Sequence, residues 1–139
     1  IQFSYPFLFD DRQAMVKAYT QETILAEKYE TIIRRNVENT RARDFYDLHP
    51  LYRLYQGNAD WNLLKQAVLA TAKKRDSLSI LQDTKRILPA LEESTVLQDL
   101  WKRYQIQNLY AREITYPAVM ETVNEFTEKM NFQQEKRIK

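Results

Sequence analysis

Two aspartates three residues apart, with a lysine upstream of them, are the side chains in this sequence best suited to chemistry. Asp44 and Asp47 would share one face of a helix, because residues three apart lie on the same side of an α-helix. Such a carboxylate pair can hold a lysine, a metal ion or the polar groups of a nucleotide. The alternative is a helix start, in which Asp44 caps the first turn and Asp47 interacts favourably with the helix dipole.

Lys28 lies in the middle of an apolar stripe, four residues after Ile24 and four before Ile32. A lysine in that position either extends its ammonium outward to water or meets a negative partner. The helix that carries Lys28 and the helix that carries the aspartates are joined by a short connection, so we expect them to pack antiparallel. Lys28 is then predicted to lie within ion-pair reach of Asp44 or Asp47.

Several weaker candidates surround this set. Arg34, Arg35, Arg41 and Arg43 fall within ten residues and could contact the phosphates of a nucleotide or an RNA, although a solvated helix end explains them equally well. The remaining aromatic residues and the histidine are interpreted mainly as structural. Packing in the core is favoured over base stacking or catalysis for Tyr52, Tyr55, Trp61, Trp101 and His49.

The elements that must position these residues are predicted to be mostly helical, because one glycine in 139 residues leaves few tight turns. The exception is residues 1–19, whose aromatic-rich start and Asp10-Asp11-Arg12 break predict a short β-hairpin with strands at 1–9 and 14–19. A bundle of about five to six helices follows. The fold class is therefore mainly α, a single helical domain over 1–139 whose hairpin completes an upstream sheet, so that a full-length parent would be α+β.

Capping residues, basic ends and prolines predict the helix boundaries. The predicted starts are Thr20, Asp60, Ser94 or Thr95, and Pro117, and the predicted ends are Arg35, Gly57, Arg75 and Pro89. The helix that ends at Pro89 is expected to span residues 78–88. Pro50 lies within the second helical pattern and is expected to kink or restart it.

Composition restricts the class of protein. Hydrophobic residues make up 44% and charged residues 29%, which is typical of a folded domain and not of a disordered chain. No apolar run is long enough to span a bilayer. The absence of cysteine excludes disulfides and thiolate metal sites and fits a reducing cytoplasm, and the single histidine excludes histidine-rich metal clusters.

Two segments resemble the AbiEii/AbiGii-type toxin nucleotidyltransferases. Residues 17–28, K-A-Y-T-Q-E-T-I-L-A-E-K, look like the segment of that family in which a strand enters a lysine-bearing helix. Residues 41–48, R-A-R-D-F-Y-D-L, are similar to its R-x-K-D-x-Y-D-L signature, with Arg43 at a position often filled by lysine. The resemblance covers mainly residues 16–55 and is looser beyond them.

The resemblance implies the C-terminal part of an enzyme that transfers a nucleotide from an NTP to an acceptor, as in abortive-infection toxins of bacteria. It implies catalytic roles for Lys28, which would approach the triphosphate, for Asp44, which would orient Lys28 or act on the incoming hydroxyl, and for Asp47, which would brace both. Arg41 and Arg43 would bind nucleotide or RNA phosphates. The family's glycine-serine motif and metal-binding acidic pair do not occur in this sequence. Mg²⁺ and NTP are therefore expected only in a full-length parent, and the chain alone is expected to fold without transferring nucleotides.

The implied partners are NTP, tRNA as the acceptor known for some members, and an antitoxin protein, with no membrane and a cytoplasmic location. A different class of function stays open: a helical protein-interaction module without chemistry. It would explain the amphipathic helices equally well, but not the lysine on an apolar stripe or the spaced aspartates. An RNA-binding helical domain is a third alternative and depends only on the arginine cluster.

Overall fold

The computed structural model describes residues 11–39 and 41–130, with side chains from residue 21 onward in those ranges. The described part contains helices and no strand. Its seven α-helices are α1 (Asp11–Arg35), α2 (Ala42–Tyr55), α3 (Trp61–Lys74), α4 (Leu78–Leu81), α5 (Thr84–Glu93), α6 (Thr95–Gln107) and α7 (Tyr116–Met130). Three short 3-10 segments connect them, at Asn36–Glu38, Gln56–Asn58 and Leu109–Ala111.

The mainly helical class is confirmed, and the number of helices in the described part exceeds the predicted five to six. The helix predicted over residues 78–88 is divided into α4 and α5, and α5 continues past Pro89 instead of ending there. The physical reason is packing. Ile87 and Leu91, four residues apart, are both buried on one face of α5, and their burial offsets the loss of the backbone hydrogen bond that Pro89 cannot donate. Pro50 likewise lies inside α2 without ending it.

The hairpin predicted over residues 1–19 falls partly outside the described residues. Its first strand, 1–9, lies entirely outside the described residues, so the hairpin as a whole stays a prediction. Where the second strand was predicted, at 14–19, the backbone belongs to α1, and Thr20 lies inside that helix and not at its start. Four of the six residues at 14–19 are Ala, Met or Lys, which favour a helix, and α1 continues through the turns that follow.

Other predicted boundaries are confirmed by local contacts. Asp60 caps α3 by accepting a hydrogen bond from the backbone N–H of Leu63 at 3.0 Å, and Ser94 caps α6 through the N–H of Leu97 at 3.1 Å. Pro117 occupies the first turn of α7, where its missing N–H has no helical partner to lose.

Two helices end in left-handed turns that do not use glycine. Asn36 after α1 and Asp76 after α3 have φ values of 54° and 59°, a conformation that Asn and Asp tolerate better than other side chains. Beyond Asp76, the backbone N–H of Ser77 donates to the carbonyl of Ala72 at 2.8 Å, which closes the end of α3. This turn sends the chain back towards α1.

α1 is the central helix: it packs most extensively on α3 and next on α2, and α2 in turn packs on α7. Its buried face carries Leu25, Tyr29, Ile32 and Ile33, and the ring of Tyr29 stacks on Phe126 of α7 with centroids 4.2 Å apart. Ile24, taken from the sequence as part of this stripe, is 40% exposed. The buried face is therefore rotated slightly from the predicted one, which places Lys28 at its edge.

Candidate functional site

Lys28 projects from α1 towards both aspartates of α2. Its ammonium nitrogen lies 3.2 Å from Oδ1 of Asp44 and 3.0 Å from Oδ2 of Asp47. Further towards the C-terminus of α2, Tyr55 donates a hydrogen bond to the buried Glu22, which precedes Lys28 on α1. Later residues of α2 therefore contact earlier residues of α1, so the two helices run antiparallel. The predicted packing and the predicted ion pair of Lys28 are both confirmed.

The alternative in which Asp44 caps the first turn of α2 is wrong. The helix begins at Ala42 with Arg41 in the capping position, so that Asp44 is the third helical residue. Its carboxylate is directed to Lys28, and only 4% of its side chain is exposed. The entry to α2 is instead held by Asn39, whose side-chain oxygen accepts from the N–H of Arg41 at 2.8 Å.

Two arginines complete what we call the Lys28 cluster: Lys28, Arg41, Arg43, Asp44 and Asp47. Nε of Arg41 lies 3.5 Å from Oδ2 of Asp44, and Nε of Arg43 lies 3.6 Å from Oδ2 of Asp47. These distances are long for charge-assisted hydrogen bonds, and both arginine side chains are largely exposed. Oδ2 of Asp44 is buried and accepts no hydrogen bond. The cluster thus has an excess of cations and an acceptor that is not satisfied.

The protonation of Lys28 limits what it can do. Burial lowers the pKa of Lys28, but hydrogen bonds to Asp47 and Asp44 and the charges of both carboxylates outweigh that effect and raise the pKa above 10.5. Lys28 is therefore a fixed positive charge at neutral pH and is not suited to act as a general base. A fixed ammonium is suited to contact phosphate oxygens.

No group of three or more Asp, Glu, His or Cys side chains is placed to hold a metal ion within the described residues. The two carboxylates of the Lys28 cluster are already paired with cations, and a divalent ion would have to displace Lys28 from between them. These residues do not fit a Mg²⁺ site by themselves, and we assign no metal-dependent step to them.

Three tyrosines contact one another beside the cluster, and only Tyr46 is close to it in sequence. Tyr46 lies on α2 between the two aspartates, Tyr104 on α6, and Tyr110 in the 3-10 segment after α6. Their ring centroids are 4.8 Å (Tyr46–Tyr110), 6.1 Å (Tyr46–Tyr104) and 6.1 Å (Tyr104–Tyr110) apart. We call them the tyrosine cluster. Sequence reasoning missed them, because nothing in the local pattern distinguishes them from core aromatics.

The weaker candidates take structural places. Tyr52 and Tyr55 are buried, as predicted, and Trp101 donates its indole N–H to the carbonyl of Ile114 at 2.9 Å. His49 Nδ1 lies 2.7 Å from the hydroxyl of Thr122 on α7, which accounts for it as a packing contact between helices. Burial also lowers the pKa of His49, a shift that the charge of Arg53 reinforces, so it is neutral at physiological pH.

A large groove lies elsewhere in the described part of the chain. A groove of about 650 Å³ lies between α6 and α7, with Trp101, Tyr116 and Met120 among its lining residues. It contains no member of the Lys28 cluster. Its charged lining residues are Glu92, Glu121 and a single cation, Lys102, which makes it a poorer candidate for phosphate binding than the Lys28 cluster. Across the described residues, no helix is both long and apolar enough to cross a membrane.

Comparison with known proteins identifies the family. The model of a family described as nucleotidyl transferase AbiEii toxin, type IV toxin–antitoxin system, matches residues 1–128 of the 139-residue chain. The chain therefore belongs to this family, and the resemblance found in its motifs is confirmed. No curated protein and no solved structure shows significant similarity to it.

Proposed function

We propose that this AbiEii-family chain supplies the triphosphate-binding lysine and the supporting carboxylates of a toxin nucleotidyltransferase, which transfers a nucleotide from an NTP to an acceptor. The observation that carries the proposal is the position of Lys28, whose side chain is 26% exposed and whose ammonium lies between Asp44 and Asp47. A lysine held in this way is preorganised, because its charge and its direction are set before a substrate arrives.

The geometry suits phosphate binding in a specific way. An ammonium has three N–H donors, and the two aspartates use two of them, which leaves one for a phosphate oxygen of the NTP. Positive charge near the triphosphate stabilises the charge that shifts onto the leaving phosphate oxygens during nucleotidyl transfer. Asp47 braces Lys28, and Asp44 orients it and offers a carboxylate oxygen that accepts no other hydrogen bond.

Arg41 and Arg43 support an acceptor that is itself a polyanion. Both are exposed at the N-terminal end of α2, and their pairs with the aspartates are long enough to be exchanged for phosphate contacts. We therefore propose an RNA acceptor, with tRNA the expected type, and an antitoxin as the partner protein of the system. NTP use is supported by membership in a nucleotidyl transferase family.

The test is nucleotidyl transfer by the full-length protein that contains this chain, with Lys28→Ala as the variant. Loss of a preorganised phosphate contact is expected to lower the rate on the order of a hundredfold or more. Transfer of label from each NTP to bulk tRNA, together with thermal melting, measures activity and folding separately. Lys73→Ala, an exposed lysine at the end of α3, is the matched control and should retain full activity. Near-normal transfer by folded Lys28→Ala would contradict the proposal and leave the interaction-module alternative.

A further inference from the structure

The tyrosine cluster reaches the surface through Tyr110, whereas Tyr46 and Tyr104 are half-buried and pack against the core. Tyr110 is 56% exposed, and it stands in a one-turn segment whose next residue, Ala111, is fully buried and anchors the turn. The hydroxyls of Tyr104 and Tyr110 lie 2.8 Å apart, within hydrogen-bond distance. From the inner side, Trp101 stacks on Tyr104 with ring centroids 5.5 Å apart. The rings are thus held in fixed positions while Tyr110 reaches solvent.

The same rings adjoin the Lys28 cluster. Tyr46 occupies the same turn of α2 as Asp44 and Asp47 and touches both other tyrosines. Burial and the hydrogen bond to Tyr110 raise the pKa of Tyr104, the charge of Asp47 raises it further, and the charge of Arg43 opposes this rise. Tyr104 therefore lies close enough to both charged residues to respond to their fields.

An exposed aromatic ring, supported by two half-buried ones and close to the exposed Arg43, suits a base joined to a phosphate. Base faces stack on aromatic side chains, and the attached phosphates are neutralised by neighbouring cations. We propose that the tyrosine cluster is a stacking surface for a nucleobase, either of the NTP or of the acceptor RNA, beside the phosphate groups held by the Lys28 cluster. This inference rests on the proposed function, since it places the base of the same substrates.

The test compares Tyr110→Leu with Tyr110→Phe. Leucine keeps an apolar side chain but has no ring face, whereas phenylalanine keeps the ring and removes only the hydroxyl. Binding of a fluorescent single-stranded RNA without a triphosphate is measured by anisotropy, and binding of each NTP by quenching of intrinsic fluorescence. Tyr110→Leu should weaken the binding of one of these two ligands roughly tenfold, and Tyr110→Phe should bind both like the unchanged protein. The ligand whose binding is weakened identifies the source of the base.

Leu109→Ala is the matched control, because Leu109 is the preceding residue and is 69% exposed. If Leu109→Ala weakens RNA binding as much as Tyr110→Leu, the surface recognises apolar groups and not bases, and the proposal is wrong. Unchanged binding of both ligands by Tyr110→Leu would also overturn it.

Lys28→Ala separates this inference from the proposed function: base stacking on Tyr110 should survive in that variant while transfer is lost. Transfer that survives Lys28→Ala, with RNA binding still sensitive to Tyr110→Leu, would refute the catalytic assignment alone.

Discussion

Helix α1 carries two ionic clusters within one turn, and they differ in how completely their charges are satisfied. Glu30 is fully buried, and its oxygens accept from Arg34 at 2.8 Å, from Arg75 at 2.6 Å and from Ser77 at 2.7 Å. Lys28, one half-turn earlier, meets its two aspartates on the α2 side, where the supporting arginines are exposed and lie at 3.5 and 3.6 Å.

We propose that this difference separates a cluster that holds the fold from one that is available to a ligand. Around Glu30, short bonds from Arg75 and Ser77 in the turn after α3 and from Arg34 of α1 use the carboxylate fully, and this network joins α1 to the chain that follows α3. In the Lys28 cluster the arginines can leave without breaking short bonds, and Oδ2 of Asp44 accepts none. Buried charges with complete partners serve stability, whereas incomplete ones indicate a site that a substrate completes.

The largest expected difference between the clusters is in activity. Asp44→Asn keeps the size of the side chain and removes the charge that orients Lys28, so transfer by the full-length protein should fall on the order of a hundredfold. Arg75→Ala should leave the rate per folded molecule unchanged. Steady-state transfer, normalised to the folded fraction at each temperature, measures both. A small loss in Asp44→Asn combined with a large loss in Arg75→Ala would reverse the assignment of the two clusters.

Stability should show the opposite pattern. Arg75→Ala removes a charged hydrogen bond to a fully buried carboxylate and should lower the free energy of unfolding by about 1.5–3 kcal/mol. Urea denaturation of the protein followed by circular dichroism gives the value. Lys74→Ala, at the exposed neighbouring position, is the control and should change stability by less than about 0.5 kcal/mol. Equal effects of the two substitutions would show that Glu30 does not depend on Arg75.

The Lys28 pair should contribute stability with a defined pH dependence. Because the folded-state pKa of Lys28 is raised, the contribution is fully present below its unfolded value of 10.5 and is lost as the pH rises through the folded value. Lys28→Met keeps the aliphatic stem without the charge, and its deficit should be on the order of 1 kcal/mol. Unfolding free energies of both proteins, measured from neutral pH upward, should keep this gap until the pH exceeds 10.5. A gap that closes near neutral pH would contradict the raised pKa.

The smallest effect is expected for Arg43→Gln. The Arg43 side chain is 76% exposed and its pair with Asp47 is long, so the substitution should cost at most about 0.5 kcal/mol of stability. Its effect should appear instead as weaker RNA binding with a reduced dependence on salt. Thermal melting and RNA titrations at two salt concentrations test both parts. A stability loss comparable to that of Arg75→Ala would place Arg43 in the structural class.

Much of the Lys28 cluster was predictable because it depends on local spacing. Asp44 and Asp47 share a face of α2 by helical periodicity, and the short link between α1 and α2 requires antiparallel packing, which brings Lys28 to them. The caps at Asp60 and Ser94 follow from side-chain chemistry within three residues. Each of these features is decided by neighbours along the chain or by one short connection.

Contacts between residues distant in sequence depend on the tertiary structure alone. Ser77 lies 47 positions after Glu30, and Tyr104 lies 58 positions after Tyr46, so no periodicity relates them. α5 continues across Pro89 because the assembled bundle buries Ile87 and Leu91. The free energy gained by that burial is not part of the local helix propensity of the segment. The sequence by itself determined which side chains share a helix face. Which faces meet depends on packing all the helices at once, because burial is a property of the assembled core and not of any single segment.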